Sequence, residues 1–134
     1  MMRFGVDANV LLRAMLNDDR DQSGLARELI AGLGEERRAY IGVPAVLEIF
    51  WVLRSRYRVP RQALHEMMSR LLTIKYLEVE SSEAVAQALS MYQNGRAEFA
   101  DALLAARNVE AGCASTYTFD QRAAKAIASM EKLG

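Results

Sequence analysis

The chain has 134 residues, 51% of them hydrophobic, which suits one globular domain (residues 1–134) with its own core and leaves no room for a second. Lysine plus arginine equals aspartate plus glutamate at 17 each, so a globally basic nucleic-acid binder and an acidic tail are both excluded and any electrostatic preference is local. The opening MMRFGVDANV lacks the pattern of a secretory leader and no apolar run reaches membrane-spanning length, so a reducing cytoplasm is the expected location.

Hydrophobic periodicity predicts alternating short strands and helices. A first strand, Phe4 to Val6, ends at Asp7, and a helix opens from Asn9 to Leu16. Asp18, Asp19 and Asp21 read as a solvated loop. Leu25, Leu29, Ile30 and Leu33 recur at helical spacing from Ser23 to Leu33, with Gly34 as the stop. A second strand, Ala39 to Val43, leads to Pro44, suited to the first position of a helix reaching about Tyr57. Trp51 in that helix, like the later Met67-Met68 pair, reads first as core or interface packing. Pro60 restarts a helix through Leu72, in which His65 is a surface or partly buried residue. Tyr76 to Val79 resembles a short strand, and Ser82 with Glu83 begins a helix ending near Asn94-Gly95. The last third reads as a helix from Ala97 to Glu110 stopped by Gly112, a strand from Ala114 to Thr118, and a closing helix from Gln121 to Lys132. Cys113, the only cysteine, cannot form an internal disulfide and reads as a small buried hydrophobe.

This alternation predicts an α/β fold with a short, mostly parallel sheet flanked by helices, because parallel strands need helical crossovers. Ligands of such sheets sit beyond the carboxyl ends of the strands. Asp7 follows the first strand directly and Asp120 follows the late strand after one phenylalanine. Two further acids interrupt apolar helices: Glu48 within Val46 to Leu53, and Asp101 within Phe99 to Ala106, where no basic residue at helical spacing pairs with it. Each acid alone has an ordinary reading, as a helix cap or a solvated glutamate. Together they suit a hard divalent cation, since crowded carboxylates repel unless a cation or protons compensate.

Val6-Asp7-Ala8-Asn9-Val10-Leu11-Leu12-Arg13, Leu47-Glu48, Phe99-Ala100-Asp101-Ala102-Leu103 and Tyr117-Thr118-Phe119-Asp120 resemble the successive signatures of PIN-domain nucleases, in that family's order and across nearly the whole chain. Within the family the likeness is to the VapC toxins of bacterial toxin–antitoxin pairs, in size and single-domain layout. The resemblance implies a PIN-like three-layer sandwich and a magnesium-dependent endoribonuclease, with manganese as the alternative ion. It implies catalytic Asp7, Glu48, Asp101 and Asp120, with Asp7, Asp101 and Asp120 as metal ligands and Asn9 and Thr118 orienting them or water. Helix-entry and strand-end roles are the ordinary readings of those last two. It further implies an RNA substrate, a small cognate antitoxin and a homodimer. Family members often end in a further short strand, which the sequence pattern here replaces with the end of the last helix.

Arg54, Arg56, Arg58 and Arg61 cluster with no acid among them, and are candidates for phosphate contact or for a solvated helix end. Arg13 and Arg96 either frame the pocket or face water. A haloacid-dehalogenase phosphatase is disfavoured because Asn9 stands where its second aspartate belongs, and a response-regulator receiver because it wants paired early acids and a late lysine. The remaining alternative is a catalytically silent binding module on the same scaffold.

Overall fold

A computed structural model describes residues 1–134, which form two compact units, Met1–Glu80 and Ser81–Gly134. In the first unit β1 (Met2–Gly5) leads through α1 (Ala8–Met15) and α2 (Arg20–Ala31) to β2 (Arg37–Ile41). The chain then runs through α3 (Val43–Ser55) and α4 (Arg61–Leu72) to β3 (Leu77–Val79). The strands lie in the order β1-β2-β3, all parallel, with Phe4 opposite Ala39 and Ile41 opposite Val79. Each crossover is a helix pair, as parallel pairing requires. The second unit has α5 (Ser82–Gln93), α6 (Phe99–Glu110), β4 (Thr116–Thr118), α7 (Gln121–Ala126) and β5 (Met130–Lys132), with β4 and β5 parallel. The chain thus has the expected α/β character, a short parallel sheet flanked by helices.

Amphipathic spacing explains the packing. In α3, Val46, Ile49, Phe50 and Leu53 are buried, while Pro44, Glu48, Trp51, Arg54 and Ser55 form an exposed stripe. Leu64, Met68 and Leu71 do the same for α4, so Met68 is core and Met67 only half-buried. In the second unit, Val85 and Leu89 of α5 and Phe99 and Leu103 of α6 are buried, and these two helices pack together. The expected stops at Gly95 and Gly112 both adopt positive φ, which glycine tolerates without a Cβ clash.

Several expectations need correction. The closing helix ends at Ala126, and residues 130–132 pair with 116–118 as the terminal strand β5, because Met130 is buried while Glu131 and Lys132 stay exposed. Helix α2 ends before Gly32, and Gly34 instead forms a tight antiparallel bridge with Arg37. Asp19 and Asp21 are not loop residues: Asp19 caps α2 by accepting from the Gln22 amide, and Asp21 lies in its first turn. Cys113 is exposed, because it follows Gly112 in the turn out of α6 and faces no core. Of the two readings of Trp51, core or interface packing, its place on the exposed outer stripe of α3 excludes the core.

The burial of Met130 sets a test of β5. Met130→Ala, five residues from the chain end, is expected to lower the unfolding free energy by roughly 2–5 kcal/mol, as for other buried methionines. Denaturant unfolding measures it. A frayed helix end would lose almost nothing.

Candidate functional site

Local backbone chemistry positions the acids of each unit. Asp7 has extended φ/ψ and is the N-cap of α1, its Oδ1 accepting from the Val10 amide at 3.1 Å. Carboxylates suit this place because the first amides of a helix have no intrahelical acceptor. Asp7 is exposed and borders a groove of about 350 Å³ between α1 and α2. Asn9, Arg13 and Gln22 supply the groove's polar edge and Val10, Leu25 and Leu29 its apolar wall. Arg13 does not simply face water. Its Nη1 donates to Asp18 at 2.9 Å and its Nε to Gln22 at 2.7 Å, while the Tyr57 hydroxyl donates to the other oxygen of Asp18. Those bonds hold the Asp18 carboxyl below its ordinary range, Tyr57 first and Arg13 next, against partial desolvation. Asp18 therefore joins the end of α1 to the end of α3, a role its solvated-loop reading missed.

Glu48 lies in α3 on the exposed stripe, so its charge is solvated and carries no burial cost. The start of α3 has no side-chain cap of its own, since its N-cap is Gly42. Glu80, just past β3, fills that role: its Oε1 accepts from the Val43 amide at 2.7 Å, and its own amide donates to Ile41 at 2.9 Å. Glu80 is a carboxylate on the strand-end rim that sequence reasoning passed over. Its one visible signal was its place immediately after a strand, the same signal that marked Asp7.

In the second unit Asp120 is the N-cap of α7, its Oδ1 accepting from the Ala123 amide at 3.0 Å. Thr118 acts on it directly, its Oγ1 accepting from the Asp120 amide at 3.0 Å and fixing the turn between strand and helix. Asp101 is half-buried in the first turn of α6. A helix start favours the charged form. Even so, its carboxyl is pushed above the ordinary range, by desolvation first, then by the charges of Asp120 and Glu98. The structure thus brings Asp101 and Asp120 into one electrostatic neighbourhood and adds Glu98. That acid was legible as a like charge three residues before Asp101, and it stands at the N-cap of α6. Within neither unit do three acidic, histidine or cysteine side chains gather as a ready metal-holding group. Arg54, Arg56 and Arg58 are all exposed around the end of α3, as is Arg96, and His65 is half-buried.

The PIN domain family matches residues 5–128. No curated protein matches the chain significantly. The family match spans most of the sequence and includes all four acids, so the chain belongs to the PIN domain family, whose members are generally nucleases using divalent metals. No helix is long and apolar enough to cross a membrane.

The two aspartates that start helices give opposite signs on mutation from Asp101. Asp7→Ala is expected to cost about 1 kcal/mol of stability and Asp7→Asn almost nothing, since asparagine caps as well as aspartate. Paired denaturant melts of the two variants test the cap. For Asp101, a folded-state pKa above the unfolded value means that the favourable contribution is complete below the ordinary carboxylate range and disappears as pH rises through the folded pKa. Metal-free Asp101→Asn is therefore expected to melt higher than the native chain at neutral pH, with the gap closing under acid. A gap independent of pH would show that charge at Asp101 is not the cause.

Proposed function

We propose that the chain is a magnesium-dependent endoribonuclease, the toxin component of a VapBC-type toxin–antitoxin system, which hydrolyses phosphodiester bonds of RNA. The observation that carries this reading is the Asp101 carboxyl of a PIN-family chain, held above its ordinary range by desolvation first and then by the neighbouring charges of Asp120 and Glu98. A cation relieves such repulsion. Carboxylate oxygens are the donors that a hard divalent ion prefers, which supports magnesium, or manganese in its place, as the ion.

In this reading Asp7, Asp101 and Asp120 are the metal ligands and Glu48 is the fourth catalytic carboxylate. Bound magnesium supplies charge stabilisation at the phosphate and favours deprotonation of the attacking water. The protein does the positioning. Asp7 and Asp120 each spend Oδ1 on a helix cap, which holds the carboxyl plane and leaves Oδ2 available. Thr118 orients Asp120 through its backbone, and Asn9 stands on the groove beside Asp7. Arg54, Arg56 and Arg58 attract the phosphate backbone. The family match extends over both compact units, which supports residues 1–134 acting as a single PIN domain. The chain works in the cytoplasm as a homodimer, neutralised by a small cognate antitoxin.

Cleavage of cellular RNA by the purified protein is expected to stop with a chelator and return with magnesium. Asp101→Asn, still folded, is expected to lose more than the roughly 10- to 100-fold that follows loss of an outer-shell partner, and to relieve growth inhibition in a host. Full toxicity from a folded Asp101→Asn protein would overturn the assignment.

A further inference from the structure

Helix α3 starts from a junction with few bonds of its own. Its N-cap, Gly42, has no side chain to accept from the first turn, and Pro44 has no N–H to donate. Gly42 has φ −86 and ψ 165, extended backbone that any residue adopts, and a Cβ there would meet no atom closer than 3.5 Å. Neither backbone nor space demands a glycine. The turn from β2 to α3 therefore rests on the residue with the most conformational freedom.

Glu80 bridges that turn from the end of β3. Its amide donates to the Ile41 carbonyl at 2.9 Å and its Oε1 accepts from the Val43 amide at 2.7 Å, so one residue grips the chain on either side of Gly42. Both gripped residues are buried. A helix cap needs only the second bond. The two together tie the direction in which α3 leaves β2 to the neighbouring strand. Val46, Ile49, Phe50 and Leu53 close the inner face of the helix, but apolar contacts are non-directional and set its depth more firmly than its tilt.

We propose that Glu80 is a positioning residue, a clamp across the β2–α3 turn that fixes the tilt of α3 and with it the place of Glu48. The proposal rests on the catalytic reading of Glu48 above. Glu48 lies six residues beyond Gly42. That is roughly 9 Å along the axis, so a tilt of about 6° displaces it by about 1 Å. A misplacement of about 1 Å can cost on the order of 100-fold in rate.

Two readouts on the full chain test the clamp. Residual dipolar couplings of the α3 amides, set against those of β1 and β2, report the tilt without reference to activity. Cleavage of RNA with magnesium reports kcat and KM. Glu80→Ala is expected to shift the α3 couplings and to lower kcat about tenfold or more, with KM near the native value. Glu80→Gln keeps an acceptor oxygen at the same reach and should retain both native couplings and most of kcat. Glu80→Asp keeps the charge but falls one methylene short, so it should behave as Glu80→Ala does, and it carries the test if the alanine variant fails to fold. In an active chain, native couplings or a native kcat in Glu80→Ala, with only a lower melting temperature, overturns the proposal and leaves an ordinary cap. So does Glu80→Asp matching the native chain while Glu80→Gln fails, since charge and not reach then matters. Shifted couplings in a chain whose native form never cleaves RNA sink the nuclease reading and leave the clamp standing. Cleavage with unmoved couplings does the reverse.

Discussion

Parallel strands cannot be joined by a hairpin, so β1 and β2 each hand the chain to a helix pair that must return it to the same starting side. That constraint puts every carboxyl end of the three strands on one rim, and with it the starts of α1 and α3. Helix starts are short of acceptors, and the acids Asp7 and Glu80 supply them. The same geometry recurs in the second unit, where β4 and β5 run parallel across α7 and Asp120 caps that helix. A polar acceptor at a strand end thus has a structural use in the fold before it has a chemical one.

The acids consequently divide by how they are balanced. Asp7 and Asp120 are satisfied by backbone amides, Asp18 by Tyr57 and Arg13, and Glu80 by the Val43 amide. Asp101 is the exception. Its desolvation and both of its charged neighbours act against ionisation.

The helix that carries Glu48 shows the complementary case of a surface under little structural demand. Its inner face is closed by Val46, Ile49, Phe50 and Leu53, and its N-terminus is held by Glu80, so the outer stripe contributes little to folding. An exposed tryptophan on that stripe, and an arginine in left-handed backbone in the loop after α3, are both mildly unfavourable for the isolated chain.

Much of this was legible in the residue order. Alternating periodicity announced the parallel α/β pattern, glycines 95 and 112 marked helix ends, and Asp7 and Asp120 stood out by following strands, since each of these signals is local to a few residues. Other features depended on partners far along the chain. Residues 130–132 look like the end of a helix until 116–118 lie beside them, because so short a segment takes its state from its pairing partner. Asp18 reads as solvated until Tyr57 arrives from the segment after α3, and Glu80 as an ordinary surface acid until an uncapped Val43 amide meets it. Cys113 was misjudged because hydrophobic character states what a side chain prefers, and only packing decides whether the core has room for it. The sequence by itself determined the fold class and the acids worth watching, through periodicity and spacing. Tertiary structure decided which of those acids are neutralised and which, like Asp101, are left under strain, because electrostatic balance depends on distances between residues far apart in the chain.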